Sequence, residues 1–147
     1  MAGGKACQAA PTEKWATTAP FGTIDRPFNI SSLVTAAGAS FVARETVNNP
    51  RALQRLIKRA LQVEGFSLVE VMTPCPTNYG RKNKQKTPVL MMHKLKENSI
   101  NIKKVDSPHV KLEDDEQFVT GVFVDRDQPE YVAEYLKIVE SVSNEGK

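Results

Sequence analysis

Residues Ala39–Met72 read ASFVARETVNNPRALQRLIKRALQVEGFSLVEVM, and the order of signals in this stretch decides the fold. Asn49 before Pro50 is a strong helix start, because the amide side chain caps free backbone N–H groups and proline's fixed φ suits the first helical position. Leu53, Leu56, Ile57, Ala60 and Leu61 then recur at helical spacing on one face, and Gly65 is the predicted stop. Ahead of the helix, Ala39–Arg44 reads as a short strand. Behind it, Phe66–Met72 is a mostly apolar run, which predicts a strand covered on both faces of a sheet. Strand, helix and strand within about thirty residues make a βαβ unit with parallel strands, a right-handed crossover and both strand C-termini on one edge. Open α/β sheets bind ligands on that edge.

Upstream of this unit, Met1 to about Phe28 is rich in Ala, Gly, Thr and Pro and predicts an extended, irregular segment ordered by something outside the chain. Ser31 or Ser32 is the expected cap of a short helix through Val34, Thr35 and Ala37 to Gly38. Downstream, Arg81–Lys86 is a polar basic loop, and Thr87-Pro88 opens an amphipathic helix through Val89, Leu90, Met92, His93, Leu95 and Lys96 that ends near Asn98. A charged connection, 101–111, and a short acidic turn, 113–116, lead to a last strand, Phe118–Val124, with Gly121 inside it. Pro129 starts a terminal helix expected to turn Tyr131, Val132, Tyr135, Leu136 and Val139 inward and to fray from Ser143.

With 40% hydrophobic positions in 147 residues, the chain can build one domain around one core. No apolar run approaches a membrane span, and the N-terminus lacks the apolar centre of a signal peptide, so the expected compartment is the cytoplasm, with no membrane partner. Twenty basic residues against 17 acidic ones, well interspersed, give a net charge of +3, too mild to argue for nucleic acid. Cys7 and Cys75 are far apart and form no C-x-x-C, while His93 and His109 are isolated, so any metal or cluster must borrow ligands from elsewhere. No P-loop or G-x-G-x-x-G with a following helix is present.

Cys75 stands between Pro74 and Pro76 where the second strand stops. Two readings are open: a small buried hydrophobe at a strand end, or a thiolate aimed off the sheet edge and held stiffly by the two prolines. A rigid cysteine without a neighbouring histidine suits a metal or iron–sulfur ligand better than a nucleophile. Arg81, Lys82 and Lys84 are either a solvated loop or a docking patch for an acidic redox partner. Met1-Ala-Gly-Gly-Lys5 is either a flexible tail or a glycine turn approaching a phosphate. The Met91-Met92-His93 cluster is expected in the core.

Four segments, MAGGK (1–5), TTAPFGTIDRPFNI (17–30), AAGASFVAR (36–44) and GFSLVEVMTPCPTNYGRKNK (65–84), together resemble the C-terminal half of the beta subunit of 2-oxoacid:ferredoxin oxidoreductases of the 2-oxoglutarate and branched-chain type. The resemblance implies an α/β fold: the C-terminal half of a thiamine diphosphate-binding fold, with a parallel βαβ sheet, flanking helices and an extended N-terminal segment. Residues 1–110 would be the partial thiamine diphosphate-binding domain, and 111–147 a strand and helix packing on it. It also implies an enzyme subunit for oxidative decarboxylation of a 2-oxoacid to acyl-CoA, with electrons passing through thiamine diphosphate and [4Fe-4S] to ferredoxin.

Carried over by position, Met1, Gly3 and Gly4 would lie at thiamine diphosphate, and Cys75 would be the fourth [4Fe-4S] ligand. Ala2 and Lys5 depart from the family's M-T-G-G-Q pattern, and Cys7 to Ala10 depart from its Ser-Pro-Thr-Thr. The Mg2+ ligands and the first three cluster cysteines belong to the preceding half of such subunits, so all three cofactors would require residues outside this chain. Partners would be the rest of the beta subunit, an alpha subunit and further gamma or delta subunits, with ferredoxin, 2-oxoacid and coenzyme A in the assembled enzyme. By itself the chain is expected to be inactive. The alternative is a non-catalytic assembly or ferredoxin-docking module that retains the fold.

Overall fold

A computed structural model describes residues 12–16, 18–26, 28–85, 87–105 and 117–145. Four strands form one sheet in the order β2-β1-β4-β3. The founding unit is the one expected: β1 (Phe41–Thr46), helix α2 (Pro50–Ala60) and β2 (Ser67–Met72), with β1 and β2 parallel and Phe41 opposite Ser67. The first strand lies two residues later than its apolar pattern predicts, because the ladder with β2 runs on through Arg44, Glu45 and Thr46.

Local rules account for the ends of α2. Asn49 accepts a hydrogen bond from the Ala52 N–H and Pro50 takes the first turn. The helix stops at its cap, Leu61, short of Gly65, which supplies a left-handed turn at φ +89° on the way into β2. Helix α1 (Ile30–Ala36) is capped by Asn29, whose side chain accepts from the Ser32 N–H. The expected caps, Ser31 and Ser32, therefore lie inside the helix, and the Ser31 hydroxyl is free to donate to Glu70. Gly38 has the left-handed conformation expected of it, φ +94°.

Beyond the parallel pair the sheet is mixed. Strand β4 (Phe118–Asp125) runs antiparallel to β1, with an irregularity of register between Val42 and Ala43. On its other side β4 pairs in parallel with β3 (Ser99–Asn101), a strand at the start of the stretch expected to be a plain connection. Gly121 sits at φ +125° beside that irregularity, where an added Cβ would lie 2.6 Å from Ile102 Cγ2. Only glycine fits there without strain.

The core is narrow and centred on β1, whose six residues are all buried. Arg44 is part of it. Its Nε donates to Glu70 on β2 (2.8 Å), Nη1 to the Val119 carbonyl on β4 (3.3 Å) and Nη2 to Asn29 at the α1 cap (2.9 Å). The guanidinium also lies 5.3 Å from the centre of the Phe123 ring. One buried side chain thus joins two strands, a cap and an aromatic face to its own strand, and a charge is tolerated there because its carboxylate and carbonyl partners compensate it.

Two burial expectations fail. Strand β2 is half-buried rather than covered, with Val71 exposed, because the sheet order places it at the edge. Helix α4 (Tyr131–Glu145) forms as expected, but Tyr131, Val132, Tyr135, Leu136 and Val139 are exposed rather than inward. Its amphipathic pattern has no counterpart surface among the described residues. In α3 (Pro88–Glu97), capped by Thr87 as predicted, the buried residue is Met91, while Val89, Leu90 and His93 face solvent.

Candidate functional site

The parallel pairing of β1 and β2 puts both strand ends on one edge, and Cys75 follows three residues after β2. Cys75 is exposed and unpaired in any disulfide, so the buried-hydrophobe reading is overturned. Its backbone is extended (φ −112°, ψ 93°), and Pro76 opens a single π-helical turn, Pro76–Gly80. That turn closes with the Gly80 N–H donating to the Cys75 carbonyl at 2.9 Å. Such turns are uncommon and concentrate at functional sites.

The turn does more than orient the sulfur. The backbone N–H groups of Asn78 and Tyr79, and more weakly Thr77, face the Cys75 side chain and lower its pKa below the ordinary thiol value, against an opposing effect of desolvation. Aligned N–H dipoles at the start of a helical turn favour the thiolate over the thiol. The thiolate is the form that binds metals and clusters.

Behind the turn, Gly80 is buried and its α-carbon approaches α3 so closely that a Cβ would stand 2.6 Å from Met91 Sδ. Sequence reasoning treated Asn83 as one more polar residue of a basic loop. Its side-chain oxygen accepts from the Trp15 N–H (2.9 Å), while its amide nitrogen donates to the Trp15 and Tyr79 carbonyls, both at 2.9 Å. This amide ties Trp15, in the irregular segment before α1, to the turn that follows Cys75. The only sequence signal was an asparagine amid basic residues, which does not reveal a partner 68 residues away.

Arg81 and Lys84 share an open cavity of about 480 Å3 with Pro76, Gly80, Gln85, Thr87 and Pro88. Lys82 does not line it and is half-buried. Lys84 has a left-handed backbone, φ 56°. Cys75, Arg81 and Lys84 are therefore grouped around one turn, whereas Met1, Gly3 and Gly4 lie outside the described residues. Among the described residues no three His, Cys, Asp or Glu side chains come together to hold a metal ion. Cys75 alone offers one soft donor, which fits one corner of a four-thiolate cluster site. Among those residues, too, no helix is long and apolar enough to cross a membrane.

Residues 2–71 match the family model described as thiamine pyrophosphate enzyme, C-terminal TPP binding domain. The chain is 41% identical over 146 residues to 2-oxoglutarate synthase subunit KorB of Methanothermobacter thermautotrophicus, covering 97% of this chain and 50% of that protein. It is 40% identical to KorB of Methanocaldococcus jannaschii, covering 99% and 53%. A solved 2-oxoglutarate:ferredoxin oxidoreductase from Magnetococcus marinus shares the fold, with a TM-score of 0.72 over 92% of this chain and 46% of that one at 24% identity. The chain spans about half the length of the relatives it matches. Over that half it is similar to the KorB-type beta subunits, and its residues 2–71 match the thiamine pyrophosphate enzyme C-terminal domain.

Proposed function

We propose that this chain is part of the beta subunit of a cytoplasmic 2-oxoacid:ferredoxin oxidoreductase and that Cys75 supplies one thiolate ligand to its [4Fe-4S] cluster. The observation that carries the reading is the exposed Cys75 thiol, held at the ligand-binding edge by a rigid turn whose N–H groups favour its ionised form. Thiamine diphosphate with Mg2+ supplies the decarboxylation chemistry in such enzymes, and the cluster supplies electron transfer to ferredoxin. Residues 1–110 form the partial cofactor domain, with Met1, Gly3 and Gly4 at the thiamine, and 111–147 add the strand and helix. Other chains or segments complete the site, so the isolated chain is inactive, and 2-oxoacid and coenzyme A are handled only in the assembled enzyme. Arg81, Lys82 and Lys84 meet the acidic surface of ferredoxin.

A second reading is favoured by the exposed apolar side of α4: a docking module that keeps the fold and contributes no ligand. One experiment separates the two. The chain is co-expressed with the missing part of the subunit and its alpha partner, and iron content and EPR are recorded for Cys75 and Cys75→Ser complexes. Loss of the cluster signal in Cys75→Ser supports the ligand role; an unchanged signal in an intact complex sinks it and leaves the docking reading.

A further inference from the structure

Primary amides that bond both backbone groups of a single distant residue act as clamps, because the planar donor–acceptor pair matches the N–H and C=O of an extended chain. Asn83 does this to Trp15, accepting from its N–H and donating to its carbonyl, each at 2.9 Å. The same amide nitrogen and the Asn83 backbone N–H both donate to the Tyr79 carbonyl, also at 2.9 Å. Tyr79 belongs to the turn that carries Cys75, and its own N–H is among those facing the sulfur.

On the other side of the clamp, residues 12–26 form a small folded loop of their own. The Glu13 N–H donates to the Thr23 carbonyl (2.7 Å), the Thr23 N–H to Lys14 (3.1 Å), and Ala16 and Ala19 exchange both backbone bonds (3.2 Å each). Trp15 itself is 53% exposed, so its indole buries little against the domain. The two Trp15 bonds to Asn83 are thus a principal attachment of this loop to the Cys75 turn.

We infer that Asn83 is a positioning residue, which fastens the loop around Trp15 to the turn carrying Cys75 so that the two keep one fixed spacing. Its catalytic consequence rests on the proposed role of Cys75: the loop around Trp15 and the cluster ligand would be kept in register through this amide. The coupling itself requires no cofactor.

The test uses the full 147-residue chain with and without Asn83→Ala or Trp15→Pro, which removes the donor N–H from the other side of the clamp. Two readouts are taken, both resolved by peptide mass spectrometry: amide hydrogen exchange in residues 12–26, and amide hydrogen exchange in the turn residues 77–80. Asn83→Ala should speed exchange in residues 12–26 roughly tenfold or more, the effect of losing hydrogen bonds of ordinary strength. It should also speed exchange in residues 77–80, the turn that follows Cys75. Trp15→Pro should change both readouts in the same direction and by less.

Faster exchange in residues 12–26 with unchanged exchange in residues 77–80 in either variant overturns the coupling and leaves Asn83 as a mere tether. Unchanged exchange in both variants overturns it as well. Should Asn83→Ala lose its folded circular dichroism spectrum, Trp15→Pro decides alone, because it alters only an exposed loop. Neither readout involves iron, so failure of the cluster reading would leave them unaffected.

Discussion

Strand β1 and helix α4 are opposite answers to the same apolar patterning. Every residue of β1 is buried, with Phe41 and Val42 fully excluded from solvent, and strands lie on both sides of it. Helix α4 carries Tyr131, Val132, Tyr135, Leu136, Ile138, Val139 and Val142 with all seven exposed, Tyr131 at 78%. Burying a side chain of this kind is worth about 1.5–3 kcal/mol, so β1 has realised its contribution and α4 has not. A 15-residue helix without packing is near the length at which isolated helices are marginal. The Glu134–Lys137 ion pair and the stacked Tyr131 and Tyr135 rings, 6.1 Å apart, give it only local support. The fold is thus complete at its centre and waits for a neighbouring surface at its rim.

Four variants break or sharpen this contrast. The largest effect is expected at the centre: Arg44→Met strands the Glu70 carboxylate beside β1 and should destabilise the chain by about 3–5 kcal/mol, as read from urea melts. Gly121→Ala comes next. It forces a side chain onto a backbone at φ +125° and against Ile102, with an expected loss of about 1–3 kcal/mol by the same measurement.

Smaller still is the exposed pair that joins the last turn of α2 to the end of β4. The Arg59 hydrogen bond holds the Asp125 carboxyl below its ordinary value, so the stabilisation is present at neutral pH and lost as pH falls through the lowered value. Asp125→Asn should therefore narrow the gap between melting temperatures measured near neutrality and at acid pH, and added salt should shrink the effect. The smallest change is expected on α4. Val132→Lys with Val139→Lys should leave the isolated chain within about 0.5 kcal/mol of wild type, yet should release it from its partner chains in a co-purification. A large loss of stability in the isolated chain would show that α4 packs on its own domain after all.

What was legible in the residues was local. The Asn49-Pro50 and Thr87-Pro88 starts and the left-handed Gly38 are fixed by a few neighbouring residues, and each is found as expected, whereas the stop expected at Gly65 comes earlier, at Leu61. The parallel pair followed from the connection between its strands, and Cys75 follows β2 at the pair's C-terminal edge. Strand β3 was not legible, because three residues become a strand only when β4 arrives to pair with them. Of the Met91-Met92-His93 cluster expected in the core only Met91 is buried, because the close approach of Gly80 selects it, while His93 is exposed. Two prolines announced a stiff Cys75 backbone but could not say that its thiol is exposed or which N–H groups face it. Arg44 and Asn83 looked like ordinary polar positions, since their partners lie in segments remote in sequence.

Strand β2 has a further consequence for the chain handled alone. Among the described residues nothing pairs with its outer side, so Ser67–Met72 presents an open ladder of backbone donors and acceptors. It contains neither proline nor lysine, the usual guards of such a border, and its one charged residue, Glu70, is engaged by Arg44. Any extended strand that arrives there, including the same strand of another copy, finds a ready template. Poor colloidal behaviour of the isolated chain at high concentration would then follow from sheet geometry, with no unfolding required.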